Sequence, residues 1–450
     1  MRFTGFAHML TYWAEASPEA PALLFDDGGR RALTFRQLSD AVSRRRDALR
    51  AEGKTCVGVL SDGSADCVIT VFSAVLAGMQ VVLLDEAMPD ALLSRLIAAT
   101  DVDTLFGDAE LTAALAPCLT RGVADGGGRL LFFTSGTTEV AKAVVLTDGS
   151  LMASAYSGAA MLPLSPGDVL LNLLPLGHVF GFVCGLLWGL SCGACVALGR
   201  GARHYLDDPA YFAPTALPAV PALLGFLLRH GALNDGLRLV LVGAGGCPEA
   251  LLDAARAKGL RVSFGYGLTE TSSGVAISTG GDPFAMDICP DDTVTLAPDG
   301  EVLVTAPTCM MQGYYRQPEA TAAVLQNGVL YTGDLGRFDE NGRLHIVGRK
   351  KDMLVLPDGT KVLCAAYEAA LSKLLGTAEL CVAEKNGRPV LALYAEGLDE
   401  AAVLRIIKPF QSELARSQQI AAVFLLDKPL PRTATGKIQR WHIQQEVDKA

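Results

Sequence analysis

From Cys56 onward the apolar positions fall in two alternating textures: short continuous β-branched or Leu-rich runs, and longer Ala-rich stretches in which they recur at helical spacing. Residues 56–60, 80–84 and 104–107 are of the first kind, and 65–77 and 91–99 of the second. The same rhythm returns at 237–243, 248–258 and 261–264. Strands alternating with amphipathic helices predict βαβ units, hence an α/β fold with parallel sheets. Near Thr293 the texture changes. The runs 294–296, 301–305, 328–331 and 343–347 are separated by Pro-Asp-Gly, Asn-Gly and Glu-Asn-Gly, turn chemistry that predicts antiparallel strands. After Gly348 the pattern predicts a smaller α+β unit, with helices at 365–375 and 401–414 and a strand at 390–394. Charged clusters at Gly348-Arg-Lys-Lys-Asp352 and Pro431-Arg-Thr-Ala-Thr-Gly-Lys437 bracket it. The expected division is therefore 1–348 and 349–450.

One stretch interrupts this picture. From Val169 to Gly199 only His178 can carry a charge before Arg200, and Gly181, Gly185, Gly189 and Gly193 recur every fourth residue. In lipid that would be a helix-packing face. Asn172, Pro175 and His178 break the first half, and Ser191, Cys192 and Cys195 fall in the second. The expected structure is a strand followed by a buried, closely packed helix, with no transmembrane span. Cys192-Gly-Ala-Cys195 lacks a second Cys or His pair, so no metal or redox role is expected of it.

Composition narrows the class. Of 450 residues, 50% are hydrophobic and 19% charged, with 47 Gly and 22 Pro, which excludes disordered, collagen-like and coiled-coil chains. Thirty-eight basic against 48 acidic residues give a formal charge of −10. The densest basic cluster, Arg44-Arg45-Arg46, sits in a helical stretch as a solvated face, so nucleic acid is not an expected partner. Eleven scattered cysteines are poor disulfide arithmetic, and residues 1–13 lack the apolar core of a signal peptide. The expected location is the cytoplasm.

Candidate chemistry begins at Leu130-Leu-Phe-Phe-Thr-Ser-Gly-Thr-Thr138, continued by Glu139-Val-Ala-Lys142. A strand runs into a loop of small hydroxylated residues and ends at a lysine. Backbone N–H groups, hydroxyls and an ammonium suit phosphate oxygens. It is not a Walker A loop, because Ala141 and Ala143 stand where Gly and Ser/Thr would flank the lysine. By itself the loop reads equally as an anion cradle or a plain turn. A second cluster, Val262-Ser-Phe-Gly265-Tyr266-Gly267-Leu-Thr269-Glu270, offers two glycines for close backbone approach, an aromatic to stack on a purine, a hydroxyl for phosphate and a carboxylate for Mg²⁺. A third, Tyr331-Thr-Gly-Asp334 with Arg349 beyond it, offers an Asp to accept ribose hydroxyls, or a β-turn Asp.

These blocks, together with Leu174-Pro-Leu-Gly-His178-Val-Phe-Gly, Gly243-Ala-Gly-Gly246 and Gly313-Tyr-Tyr, occur in one order over residues 130–440. In that order and spacing the chain resembles the superfamily of AMP-forming acyl-CoA synthetases, peptide-synthetase adenylation domains and luciferases. The resemblance implies a large N-terminal domain of two stacked βαβ-type sheets plus a small antiparallel section, then a small mobile α+β domain. It implies a two-step ligase: ATP and a carboxylic acid give an acyl-adenylate and pyrophosphate, and a thiol then attacks the adenylate. On this resemblance Lys437 is the adenylation lysine and Lys351 the hinge position, with Thr269 a phosphate contact and Glu270 the Mg²⁺ ligand. Thr134, Ser135, Gly136, Thr137, Thr138 and Lys142 form the phosphate loop. Gly243, Ala244, Gly245, Tyr266 and Gly267 line the adenine side, Asp334 and Arg349 the ribose, and His178 and Gly265 the acyl pocket. Cofactors would be ATP, Mg²⁺ and either CoA or the phosphopantetheine of a carrier protein.

Glu139, Ala141, Ala143 and Asp148 depart from the family pattern, which usually has Gly, Pro, Gly and His there. Three readings follow. The first is an acyl-CoA synthetase acting on a fatty or aromatic acid. The second is a stand-alone ligase loading an acyl carrier protein, for which Lys350, Lys351, Lys361 and Lys373 would supply a basic docking face. The third, motivated by Glu139, is a nucleotide-binding scaffold without turnover.

Overall fold

The structure is a computed structural model that describes residues 1–120, 127–134, 142–432 and 438–449. The described chain packs as two compact units: residues 1–134, 142–294 and 304–330 in one, 295–303 and 331–449 in the other.

The first unit is built on two sheets. One has nine strands, in the order Asp287–Ile288, Ala276–Ile277, Arg261–Tyr266, Leu239–Val242, Ala216–Ala219, Val169–Asn172, Cys195–Leu198, Pro21–Asp26 and Arg30–Thr34. Its middle is parallel, as the βαβ rhythm predicts: Val242 pairs with Phe264 on one side and Ala219 on the other. The second sheet has six strands, in the order Gly313–Tyr314, Ala143–Thr147, Arg129–Phe133, Gln80–Asp85, Cys56–Ser61 and Thr104–Phe106. All six residues of Cys56–Ser61 and of Gln80–Asp85 are buried, which is why these strands are continuous apolar runs instead of alternating ones. Between the sheets Phe6, Phe72, Phe132 and Phe182 meet with ring centroids 4.6–6.4 Å apart. Aromatic contacts of this kind add to what burial alone gives.

The uncharged stretch resolves as Val169–Asn172, then a continuous helical run through Val179–Phe182, a wider π-type turn at Val183–Leu187 and Trp188–Ser191. The glycine stripe is the face on which this helix meets its own sheet. A Cβ at Gly181 would lie 2.2 Å from the Pro175 carbonyl oxygen, at Gly185 2.3 Å from Asn172 Oδ1, and at Gly189 2.7 Å from Val196 Cγ2. The contacts that a membrane helix would make to a neighbour are made here to two strands and to the loop that follows the first. Gly193, at φ +70°, then turns the chain into Cys195–Leu198, a strand that the sequence reading did not separate from the helix. Among the described residues no helix is long and apolar enough to cross a membrane, and none of the eleven cysteines is bonded to another.

Asp148, where the family usually has His, has a structural task. Its Oδ2 accepts from the Phe6 amide at 3.0 Å, capping the first helix, Phe6–Ala16, whose own Gly5 has no capping side chain.

In the second unit Asp334–Phe338 pairs antiparallel with Leu344–Arg349, as the Glu-Asn-Gly turn predicts. Beyond it a hairpin, Met353–Val355 with Lys361–Leu363, precedes a three-stranded sheet of Leu380–Lys385, Arg388–Leu393 and Val423–Leu425. Helices Cys364–Leu375, Glu400–Ser412 and Arg440–Lys449 bury Leu371, Val403, Ile407 and Ile443 against it.

Candidate active site

In the first unit the candidate residues lie at the ends of neighbouring strands. Leu239–Val242 and Arg261–Tyr266 are adjacent and parallel, so the loops that follow them, Gly243–Gly246 and Gly267–Glu270, emerge side by side at the carboxyl edge, where open α/β sheets bind ligands. Ala244 sits at φ +64°, a left-handed conformation that costs a residue with a Cβ about 1 kcal/mol and that clusters at functional turns. Gly243 is tightly packed: a Cβ there would lie 3.0 Å from the Phe180 ring, which would have to give by a few tenths of an ångström. Gly267 is required, because a Cβ would lie 1.4 Å from the Ser273 carbonyl oxygen. The close approach at Gly267 is thus to the chain's own backbone. Gly265 would meet Leu241 at an ordinary 3.5 Å. Tyr266 is buried at the strand end, and Thr269 and Glu270 open a single 3₁₀ turn, Thr269–Thr271, whose Thr271 hydroxyl takes the Leu268 amide at 3.1 Å.

The lysine at the end of the hydroxylated loop is held from the opposite sheet. Thr134 N donates to Lys142 O at 3.0 Å and Lys142 N to Thr134 Oγ1 at 3.3 Å, closing the base of the loop. Ser135, Gly136, Thr137, Thr138 and Glu139 lie outside the described residues, as does Lys437. From Lys142 the ammonium lies over the Tyr314 ring, 4.6 Å from its centroid, and the Tyr314 hydroxyl donates to Glu270 Oε1 at 2.7 Å. Burial and the Glu270 carboxylate push the Tyr314 phenol well above its ordinary value, so it stays a donor. One aromatic residue thus links the lysine and the carboxylate that the sequence placed 128 positions apart.

His178 precedes the helix at Val179, and its Nε2 lies 3.6 Å from Asp85 Oδ2, at the end of Gln80–Asp85 in the six-stranded sheet. Asp85 also takes the Ala87 amide at 3.0 Å. Nothing in the sequence marked Asp85. Its signal was only a charge at the end of an apolar run, where a turn explains it equally.

In the second unit Asp334 and Arg349 are paired across two strands, with Arg349 Nε 2.8 Å from Asp334 Oδ1 and Asp334 only 3% exposed. Glu301, which sequence reasoning missed, fixes this strand segment: it accepts from Gly333 N at 2.9 Å and from Lys350 Nζ at 3.0 Å. Lys351 lies in the exposed turn Lys350–Asp352 that follows.

Glu270 fits a Mg²⁺ carried by a nucleotide better than a caged ion. Tyr314 engages one carboxylate oxygen, the described residues place no partner on the other, and no cluster of three His, Cys, Asp or Glu able to hold a metal occurs among them.

A family model described as AMP-binding enzyme matches residues 10–126 and 129–315, which is more than half of the chain. The chain belongs to the AMP-binding enzyme family. Among relatives of this AMP-binding enzyme, the indoleacetate–CoA ligase of Aromatoleum aromaticum is 29% identical and the match covers 96% of each chain. The 2-succinylbenzoate–CoA ligase of Bacillus subtilis is 28% identical over 95% of each. A CoA ligase of Mycobacterium tuberculosis acting on a methyl-dioxo-octahydroindenyl propanoate is 31% identical over 77% of this chain and 70% of its own. Among solved structures, O-succinylbenzoate coenzyme A synthetase from Bacillus subtilis in complex with AMP superposes with a TM-score of 0.84 at 26% identity, covering 97% of this chain and 98% of that one. The same synthetase with ATP and magnesium gives 0.82 at 26% identity, over 96% and 98%.

Proposed function

We propose that this AMP-binding enzyme is an acid–CoA ligase that adenylates a carboxylic acid with ATP, releases pyrophosphate and passes the acyl group to CoA as a thioester. The observation that carries the reading is the match along both chains: relatives named as CoA ligases are matched over 95% or more of their own length and of this chain's.

In this reading Tyr266 and the Gly243–Gly245 backbone take the adenine, Asp334 and Arg349 the ribose, and Thr269 and Lys142 the phosphates. Lys437 bridges the carboxylate and α-phosphate oxygens as charge builds between two anions that repel each other. Glu270 holds Mg²⁺, which when bound offsets triphosphate charge. His178, oriented by Asp85, and Gly265 face the acyl group. Residues 349–450 turn about Lys351 between the two half-reactions, withdrawing Lys437 and admitting the thiol. The substrate class is a ring-bearing carboxylic acid, as in the indoleacetate and succinylbenzoate ligases.

Pyrophosphate release with ATP, Mg²⁺ and a panel of aryl and alkyl acids, with and without CoA, tests this. Acyl-CoA formation that needs all four components is expected. Adenylate formation with no CoA product would transfer the reading to a carrier-protein acceptor, and no ATP consumption with any acid would sink it. Lys437→Ala should lower pyrophosphate release by about 10²–10³-fold; an unchanged rate removes the role given to that lysine.

A further inference from the structure

The link between Lys142 and Glu270 runs through a residue to which the reading above gives no task. Tyr314 is 7% exposed and belongs to the two-residue strand Gly313–Tyr314, which pairs antiparallel with Ala143–Thr147, the strand that leaves Lys142. Its amide donates to Thr321 Oγ1 at 2.9 Å, and Gly313, at φ +140°, is packed so closely that a Cβ would lie 3.0 Å from Thr321. Just before it, Met311 N donates to the Glu270 carbonyl oxygen at 2.8 Å. The backbone of Tyr314 is therefore tied to both the strand that carries Lys142 and the turn that carries Glu270. Its ring then presents one face to the ammonium and its hydroxyl to the carboxylate.

Opposite charges brought to one place pair with each other unless something holds them. An ammonium paired with Glu270 would be lost to phosphate, and the carboxylate would be lost to a cation. A phenol separates these demands: its π face attracts the cation and its O–H satisfies one carboxylate oxygen. We propose that Tyr314 is a positioning residue that holds Lys142 and Glu270 apart and pre-aimed, so that the triphosphate and its Mg²⁺ bind to groups already in place. The proposal rests on the reading of Glu270 as metal-facing and Lys142 as phosphate-facing.

The test is nucleotide binding measured by calorimetry, with no turnover needed. ATP is titrated into wild type, Tyr314→Phe, Glu270→Gln and the double variant, in Mg²⁺ and again in EDTA, with circular dichroism melts to confirm folding. Tyr314→Phe keeps the ring beneath Lys142 and removes only the hydroxyl. It should weaken binding in Mg²⁺ about ten- to a hundredfold and leave binding in EDTA within about twofold, the loss of one hydrogen bond to a charged group. Tyr314→Leu, which also removes the ring, should weaken binding in EDTA as well. Once Glu270 is Gln, the further change Tyr314→Phe should cost less than half of what it costs in wild type, since the two act through one contact. If Tyr314→Phe binds ATP in Mg²⁺ as wild type does while Glu270→Gln is impaired, the positioning role is wrong and the role of Glu270 stands. If Glu270→Gln itself binds as wild type in Mg²⁺, the underlying reading is wrong and the proposal falls with it.

Discussion

Substituting Gly185 by Ala is a direct probe of the helix that carries His178 at its start. In a helix interior Ala is favoured over Gly by roughly 0.5–1 kcal/mol, so propensity alone predicts a gain. The tertiary structure predicts a loss. The added methyl would lie 2.3 Å from Asn172 Oδ1, 2.5 Å from its Cγ and 2.9 Å from its Nδ2. Asn172 is 4% exposed and cannot swing into solvent. Its Oδ1 accepts from Leu174 N at 3.0 Å, at the start of the loop that leads to His178. Displacing it costs about 1–3 kcal/mol of overpacking and leaves a buried amide without its partner for another ~1–3 kcal/mol. Taking the middle of these ranges and allowing for propensity, the net loss is about 2–4 kcal/mol.

For a unit of roughly 300 residues, with an unfolding entropy of about 2.1 cal/mol/K per residue, that corresponds to a fall of about 3–6 °C in Tm. Gly225→Ala is the paired control. It changes the same residue type inside the helix Pro221–Arg229, where the nearest atoms are the Arg229 guanidinium end at 3.3 Å and the Leu251 methyls at 3.5 and 3.9 Å. There the propensity term wins and Tm should rise by about 1 °C. Differential scanning calorimetry reads both. If both variants move in the same direction, or if Gly185→Ala melts at or above wild type, the account of the glycine stripe as a helix-to-sheet contact is refuted.

Two further outcomes follow from buried charge. Burial, with the neighbouring Asp291 carboxylate, pushes the Asp292 carboxyl up to about 7, and both of its oxygens lack a hydrogen-bond partner among the described residues. A carboxyl with a folded pKa above its unfolded value of 3.8 binds more protons folded than unfolded, so stability falls as pH rises from about 4 to about 7 and levels off above. Asp292→Asn should flatten that window in urea titrations at pH 5 and pH 8; an unchanged slope removes the cause assigned to it. In the second unit Arg440 pairs with both oxygens of Glu368 and lies 3.5 Å from Asp352. Arg440→Met strands the Glu368 carboxylate and should cost about 2–4 kcal/mol, visible as an earlier transition whose proteolytic fragments map to residues 331–449. A melt superimposable on wild type would contradict it.

Much of this was legible beforehand because strand and helix periods are local. The runs at 56–60, 80–84 and 261–264 and the helices at 65–77 and 365–375 stand within a residue or two of their observed bounds, since burial on both sheet faces forces continuous apolar runs. The blocks that carry the family resemblance were legible for a different reason: short runs of glycines and hydroxyls with single charged residues, Asp334 and Glu270 among them, stand out in a string of letters. The division of the chain was less so, because residues 295–303 pack with 331–449 across a gap in sequence that no local pattern records.

What the sequence determined by itself was the inventory: an α/β chain with an antiparallel continuation, and the glycine, hydroxyl, lysine and carboxylate blocks in family order. What only the tertiary structure decided was the pairing of distant positions. The glycines at 181, 185 and 189 read alike for a lipid-facing helix or a buried one until their neighbours proved to be Pro175, Asn172 and Val196. Asp85 became a partner of His178, Glu301 the anchor of the strand at Gly333–Asp334, and Tyr314 the joint between Lys142 and Glu270, each through a contact between elements far apart in the chain. Periodicity reports which face of an element is buried and composition reports which chemistry is present. Which two elements meet depends on how whole sheets pack, and that is a property of the folded chain alone.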